Sequence, residues 1–192
     1  MSQRELVDRT AMRRNCSSRV TAPTFAALVN ELEAWPMKSF RNRRYVPHSA
    51  GEMFALVRDV ESYPQFVPLC EAVRIRRRSE ISPGVEVSLI EMQVGFKAIC
   101  ERYVSRVCCD SNKLDIRVEC AEGPFRKLDN RWTFRDEPAV TAGAPRSMVE
   151  FYIAYEFKSP ALGFVMGAMF DRAFHKYADA FATRADEVYG RR

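Results

Sequence analysis

The chain has 192 residues, which is enough for one domain with a hydrophobic core and a short appendage. Hydrophobic residues at 47% and charged residues at 29% are ordinary globular values, and they exclude wholesale disorder. No apolar run approaches the ~18 residues that a membrane-spanning helix needs, and the N-terminus lacks the pattern of a secretion signal. We therefore expect a protein of the cytoplasm.

The net charge of +5 is concentrated at the front of the chain. Residues 1–45 carry all of this excess, and the basic and acidic side chains of the remainder balance each other. A basic front end on a neutral remainder is weak evidence for a nucleic-acid partner, and we expect no DNA binding.

The six cysteines do not form a metal-binding pattern. They include no C-x-x-C pair, and the two histidines, His48 and His175, lie near none of them in sequence. In a chain without a secretion signal, buried thiols that act as small hydrophobic side chains are the better interpretation. We predict buried thiols and no metal site for Cys16, Cys70, Cys100, Cys108, Cys109 and Cys120.

The first 37 residues differ from the rest of the chain in composition and periodicity. Residues 1–20 are polar and aperiodic, as is typical of a disordered tail, and residues 21–35 have the apolar spacing of a short helix. We predict an N-terminal extension over residues 1–37 and a single domain over residues 38–192. One hypothesis is that translation begins at Met37, and peptides from upstream of Met37 in the native protein would contradict it.

The start of the domain contains the signals of a capped helix. Ser49 suits an N-cap, with Glu52 as its capping partner, for a helix that ends near Arg58. Shortly afterwards Pro64 and Pro68 permit only a short helical turn.

Seven apolar or alternating stretches predict β-strands. Alternation of hydrophobic and polar side chains is typical of an antiparallel sheet with one buried and one solvated face. In one stretch the apolar positions change parity between Leu89 and Ile90, which predicts either a bulge or burial on both faces. Short turns between the last six stretches predict a meander. The stretches cover residues 40–46, 73–78, 85–96, 95–109, 114–120, 127–135 and 149–157.

The chain ends in a long amphipathic segment. As one helix, residues 160–189 would span ~45 Å, and Pro160 suits the first helical position. Its apolar side chains recur with helical period and form a stripe wide enough to lie against a sheet. Near its start, the small residues Gly163, Gly167 and Ala168 let another group approach the backbone.

Together these elements predict an α+β fold of the helix-grip type. A curved antiparallel sheet of about seven strands wraps around the long C-terminal helix, and two short helices close the cavity between them.

Five stretches carry a resemblance to a known family: DVESYPQFVPLC (59–70), ERYVSR (101–106), LDNRWTF (128–134), VEFYIAYEFKS (149–159) and FDRAF (170–174). Through them, residues 38–190 resemble the coenzyme Q-binding family of the START-like (polyketide cyclase/dehydrase) superfamily, which includes bacterial ribosome-association toxins. Members carry Trp after the second proline of the first stretch, whereas this chain has Leu69, so ring stacking is not expected there.

The resemblance implies a hollow domain that carries a lipid. The implied ligand is the polyprenyl quinone ubiquinone with its tail inside, and the implied role is that of a carrier or chaperone supporting respiratory electron transport. Taken singly, each inward side chain is better explained by plain core packing, and only the hollow fold implied by the resemblance favours a cavity lining for the set. By strand and helix parity, the predicted lining comprises Phe66, Leu89, Met92, Val94, Phe151, Tyr155, Met166, Phe170, Phe174 and Tyr177. The predicted entrance comprises Tyr63, Pro64, Val67 and Pro68.

Catalysis is not expected. The inward positions are nearly all aliphatic or aromatic, and they contain no paired carboxylates and no Ser/His/Asp set. A lone histidine such as His175 is more often packed or solvated than catalytic. We therefore predict no enzyme activity and no catalytic cofactor, with ubiquinone as a bound ligand only.

A membrane contact would follow from the predicted entrance. Its prolines would hold Phe66 and Val67 outward on a stiff turn, and quinones reside in bilayers, so we expect transient contact at the inner membrane. An arginine strip would meet anionic lipid headgroups or simply form a solvated face. The strip comprises Arg74, Arg76, Arg77, Arg78, Arg102 and Arg106.

The alternative function is that of a ribosome-binding toxin that blocks subunit association and inhibits translation. The arginine strip would then contact RNA phosphates. The strip has no interleaved aromatic side chains for base stacking, which favours the carrier.

Overall fold

An antiparallel sheet and a long terminal helix dominate the structure, a computed structural model that describes residues 37–96, 99–138 and 145–191. The predicted N-terminal extension up to residue 36, with its helix at 21–35, lies outside the described residues. The elements in chain order are β1 (Lys38–Val46), α1 (Ala50–Arg58), a 3₁₀ helix (Val60–Gln65), β2 (Cys70–Ser82), β3 (Val85–Phe96), β4 (Ile99–Asp110), β5 (Asp115–Glu122), β6 (Phe125–Asp136), β7 (Ser147–Phe157) and α2 (Pro160–Tyr189).

The seven strands form one curved sheet in the order β1-β7-β6-β5-β4-β3-β2. Strands β2 to β7 pair antiparallel with their neighbours in sequence, as a meander does. The first strand, β1, pairs antiparallel with β7 and becomes the opposite edge. The predicted α+β helix-grip fold is confirmed.

Helix α1 begins where the sequence predicts. The Ser49 hydroxyl accepts a hydrogen bond from the Glu52 backbone N–H at 3.2 Å, and the Glu52 carboxylate accepts one from the Ser49 backbone N–H at 2.8 Å. This reciprocal pair satisfies two backbone donors that the helix itself leaves free. The 3₁₀ helix that follows contains Pro64, so the short helical turn expected there is confirmed.

The change of apolar parity within β3 occurs without a bulge in that strand. The β3–β4 register runs without a break from Val85 to Phe96, so β3 contains no bulge on that side. The pairing of β3 with β2 shifts register at three places, each with the extra residue on β2: between Cys70 and Ala72, Ile75 and Arg77, and Glu80 and Ser82. Successive side chains of β3 therefore alternate strictly, and Leu89 lies half-buried on the face opposite the buried residue next to it.

Helix α2 lies against the concave face of the sheet through an aromatic stripe. Phe170, Phe174 and Phe181 are all buried there. Near the helix start, a Cβ on Gly167 would lie 3.1 Å from the Lys38 Nζ, so the small residue makes room for that lysine. Lys38 in turn pairs with Asp171 of α2 at 2.8 Å, which ties the helix to the edge strand. Among the helices described, none is long and apolar enough to cross a membrane.

The Ser49 cap provides a test of the local fold. We expect Ser49→Ala to lower the free energy of unfolding by about 1 kcal/mol, because the Glu52 N–H loses its acceptor. Urea denaturation followed by circular dichroism measures the change. Ser82→Ala, at an exposed position, is the matched control and should stay within about 0.5 kcal/mol of the wild type. Equal effects of the two substitutions would contradict the capping role.

Candidate functional site

A cavity of about 110 Å³ lies between the concave face of the sheet and α2. Its wall is mostly apolar, and α1, the 3₁₀ helix and the segment after it close one side. The lining residues are Val57, Val60, Tyr63, Val67, Ile90, Met92, Tyr103, Ser105, Val107, Ile116, Val118, Phe125, Leu128, Asn130, Trp132, Phe151, Ile153, Tyr155, Phe170, Phe174, Tyr177 and Phe181.

Most of the predicted lining side chains meet at this cavity. Strand β3 contributes one of them, β7 two and α2 three, and together they surround the space from both the sheet and the helix. Contact of these residues with a ligand stays a prediction. The predicted residues in the wall are Met92, Phe151, Tyr155, Phe170, Phe174 and Tyr177.

Four predicted lining residues lie elsewhere. Leu89 is on the convex face, because the unbroken β3 register turns Ile90 inward instead. Val94 and Met166 are 2% and 1% exposed, but they pack in the solid core and do not reach the cavity. Phe66 is half-buried and packs on Phe181 outside the cavity, with ring centroids 5.1 Å apart.

Tyr63, Phe66 and Val67 pack against the domain, so the prediction that Phe66 and Val67 point outward is wrong. The Val67 N–H donates to the Tyr63 carbonyl at 2.8 Å, which bends the chain back onto the domain. Val67 is only 7% exposed, and both it and Tyr63 line the cavity. Pro64 is exposed and Pro68 half-buried, and neither lines it.

The structure adds lining residues that the parity argument passed over. Trp132 and Phe181 close one end of the cavity, with ring centroids 5.1 Å apart. Ser105 and Asn130 place polar groups in the wall and are 5% and 7% exposed. Their sequence signal was visible, because each occupies an inward position of an alternating strand where the neighbouring inward residues are apolar.

Tyrosine hydroxyls are the main ionisable groups at the cavity. Desolvation by burial is the largest cause that raises the pKa of Tyr63, Tyr103 and Tyr177 above the ordinary value. For Tyr155, burial again acts first, and a hydrogen bond from its hydroxyl to Asp171 at 3.0 Å raises the pKa further. In the described wall there is no Asp, Glu, Lys, Arg or His. The site is therefore uncharged at neutral pH.

The prediction that the thiols are buried holds for only some of the cysteines that the structure describes. Cys70 and Cys109 are buried, and burial raises their pKa values to about 11 and about 12. Cys100 is exposed, so the prediction of a buried thiol is wrong there, because its side chain lies near Glu71 at the open edge of the sheet. Within the described ranges, no three His, Cys, Asp or Glu side chains come together as metal ligands would.

The arginine strip is partly neutralised by acidic side chains of β3 and β5. Arg76, for example, pairs with Glu91 at 2.5 Å and with Glu122 at 3.0 Å. The strip arginines that form ion pairs are Arg76, Arg78 and Arg102. Those with no ion pair to any residue that the structure describes are Arg74, Arg77 and Arg106.

The buried tyrosines predict a loss of stability at alkaline pH. Above about pH 10 the unfolded chain loses tyrosine protons that the folded protein retains, so the free energy of unfolding falls as pH rises. We expect Tyr177→Phe to make this fall shallower by up to about 1.4 kcal/mol per pH unit, measured by urea denaturation between pH 9 and pH 11. Tyr45→Phe, at a residue that is 54% exposed, is the control. An unchanged slope in Tyr177→Phe would argue against burial of that hydroxyl.

Comparison with known proteins supports the resemblance. The family described as "Polyketide cyclase / dehydrase and lipid transport" matches residues 46–182. Ribosome association toxin RatA of Escherichia coli (strain K12) is 33% identical over 147 residues, which are 77% of this chain and 86% of that protein. Coenzyme Q-binding protein COQ10 homolog B, mitochondrial, of Xenopus laevis is 26% identical over 175 residues, or 91% of this chain and 68% of that one.

A solved structure agrees with both the fold and the sequence. The solution structure of an 18 kDa protein from Caulobacter crescentus superposes with a TM-score of 0.64 at 32% sequence identity, covering 80% of this chain and 99% of that chain. Taken with the match over residues 46–182, this similarity shows that the chain belongs to the polyketide cyclase/dehydrase and lipid transport family.

Proposed function

We propose that this protein binds a polyprenyl quinone, ubiquinone, and acts as a carrier or chaperone in support of respiratory electron transport. The observation that carries the proposal is the apolar, uncharged cavity between the sheet and α2. The chemical class of the ligand is taken from the Xenopus laevis relative, which is named as a coenzyme Q-binding protein.

Burial of apolar ligand surface would supply the affinity. Each CH₂ group moved out of water contributes about 0.8 kcal/mol, from which the cost of ordering the ligand is subtracted. The cavity of about 110 Å³ is smaller than the ~300–1,000 Å³ of typical ligand pockets. A quinone therefore has to displace side chains on entry, and much of its tail stays outside the closed cavity.

The proposed entrance is the wall formed by Tyr63 and Val67. This wall rests on a 3₁₀ helix, whose hydrogen-bond geometry is poorer than that of an α-helix. The Tyr63 hydroxyl donates to the Val57 carbonyl at 2.5 Å, and Arg184 of α2 donates to Gln65 at 2.9 Å. Opening the cavity here would break these two bonds and part Tyr63 from Phe181, whose ring centroids lie 5.4 Å apart.

A carrier, rather than an enzyme, is the role proposed. The described wall offers hydroxyls, an amide, an indole N–H and a thioether. The raised pKa values of Tyr63, Tyr103 and Tyr177 keep these hydroxyls protonated at neutral pH, so none of them serves as a general base. The ligand enters and leaves chemically unchanged.

The proposed place of action is the surface of the inner membrane, with the protein otherwise in the cytoplasm. Quinones reside in the bilayer, so the carrier has to touch it transiently. The arginines of the strip without ion pairs supply positive charge for anionic headgroups, each worth about 1 kcal/mol near the surface.

A second candidate function is association with ribosomes. The observation that favours it is the 33% identity to a relative named as a ribosome association toxin. The arginine strip offers it limited support, because Arg76, Arg78 and Arg102 are engaged with acidic side chains. A phosphate-binding surface would need these cations free.

The cavity proposal predicts a quinone in the purified protein. Protein expressed in a ubiquinone-producing bacterium should yield ubiquinone on solvent extraction, identified by absorbance and mass spectrometry. Val118→Phe should reduce the yield at least about tenfold, because the larger ring fills the cavity, at a stability cost of about 1–3 kcal/mol. Val188→Phe, at a residue that is 49% exposed, should retain the ligand. Equal yields from the two variants would contradict binding in the cavity.

Sedimentation with ribosomes distinguishes ribosome association from the quinone-carrier function. We expect the wild-type protein to remain in the supernatant when ribosomal subunits are pelleted at physiological salt. Co-sedimentation that weakens steeply with added salt would favour ribosome association instead. The variant Arg74→Ser, Arg77→Ser, Arg106→Ser should then lose that binding, whereas it should retain extracted quinone.

A further inference from the structure

Among the hydroxyl and amide groups of the cavity wall, three have no hydrogen-bond partner in the part of the chain that the structure describes. They are the Ser105 hydroxyl, the Asn130 amide and the Tyr177 hydroxyl. Ser105 and Asn130 are 5% and 7% exposed, so their contact with bulk solvent is slight and their polar atoms face the cavity. Buried polar groups are nearly always hydrogen-bonded, because leaving them unpaired costs free energy. Such a set indicates an occupant with polar atoms of its own.

The remaining tyrosines of the wall are already partnered. The Tyr63 hydroxyl donates to the Val57 carbonyl, and the Tyr155 hydroxyl donates to Asp171. The Tyr103 hydroxyl donates to the Met92 sulfur at 3.0 Å. The hydroxyl and amide groups without a partner therefore lie in two parts of the wall. Ser105 and Asn130 are on the sheet, and Tyr177 is near the middle of α2. Asn130 stands between apolar neighbours, opposite Ile153 on β7 and Val118 on β5.

We propose that these groups receive the oxygen-bearing ring of the quinone, so that the ligand binds head-first with its tail directed outward. This orientation rests on the proposed function and reverses the tail-inside orientation that the family resemblance implies. The Asn130 amide offers two N–H donors, and the hydroxyls of Ser105 and Tyr177 offer one O–H donor each. The carbonyl and methoxy oxygens of a ubiquinone ring only accept, which matches these donors.

The size of the cavity favours the ring over the tail. A volume of about 110 Å³ has to expand less for one ring than for several isoprenoid units. A saturated or isoprenoid chain would also leave all three polar groups unpaired. The free-energy cost of the unpaired groups would increase if the chain displaced solvent from them. A ring with acceptor oxygens avoids this loss.

The affinity test uses decylubiquinone and decylbenzene, which share a tail and differ in the oxygens of the ring. Asn130→Leu should weaken decylubiquinone binding about tenfold, or about 1.4 kcal/mol, and leave decylbenzene binding unchanged or tighter. Ser105→Ala should weaken the quinone alone in the same direction. Ile153→Leu, which changes the neighbouring apolar position at constant volume, should affect the two ligands equally.

The orientation test uses Trp132, which lines the cavity two residues from Asn130 on the same face of β6. The other tryptophan is removed by Trp35→Phe, so all tryptophan emission comes from Trp132. Side chains two apart on a strand are about 6.6–6.8 Å apart, so a head-first quinone ring lies close enough to quench this emission strongly. Decylbenzene should not quench it.

The outcomes separate this inference from the proposed function. Unchanged Trp132 emission at saturating decylubiquinone, or an equal effect of Asn130→Leu on both ligands, would overturn head-first binding while leaving an apolar binding site. Failure of the wild-type protein to bind either ligand would overturn the proposed function and the orientation together. The supporting result is that Asn130→Leu weakens the binding of decylubiquinone alone and that decylubiquinone strongly quenches Trp132 emission.

Discussion

Aromatic rings hold α2 at a distance from the sheet, and the rest of the structure depends on this spacing. Toward the start of the helix, Phe170 meets Tyr155 with ring centroids 5.8 Å apart. About 16 Å along the helix, Phe181 meets Trp132 and Tyr63 at 5.1 and 5.4 Å. Rings also meet between these positions, where Phe174 lies 6.0 Å from Phe151 and 5.7 Å from Tyr155. The cavity lies among these rings, and Phe170, Phe174 and Phe181 all line it.

The same spacing explains why the site combines apolar walls with polar groups. The sheet is continuous from β3 to β7, so each strand presents alternate side chains to the cavity. Asn130 and Ser105 come to face it through this alternation alone. In a solid core they would be paired or replaced by apolar residues, since a buried unpaired polar group is destabilising. Their presence is consistent with a domain whose interior is completed by a ligand.

Sequence periodicity was sufficient for the fold and for part of the wall. Alternation identified the strands, and the Ser49 and Glu52 pair identified the start of α1. It was not sufficient for Leu89, because β3 alternates without a break, so Leu89 and Ile90 cannot both face inward although both are apolar. Nor could periodicity separate a wall residue such as Met92 from Val94, which shares its parity but packs in the core. The position of the gap between the rings depends on tertiary packing, which sequence periodicity does not describe.

The existence of an accessible apolar space between α2 and the sheet is the central claim, and a xenon-pressurised crystal tests it most directly. Xenon binds apolar cavities of engineered and natural proteins without needing a polar partner. A xenon peak among Val118, Ile153 and Phe174 is the predicted result. Crystals that diffract unchanged under pressure, with solid side-chain density and no xenon at this position, would contradict the claim.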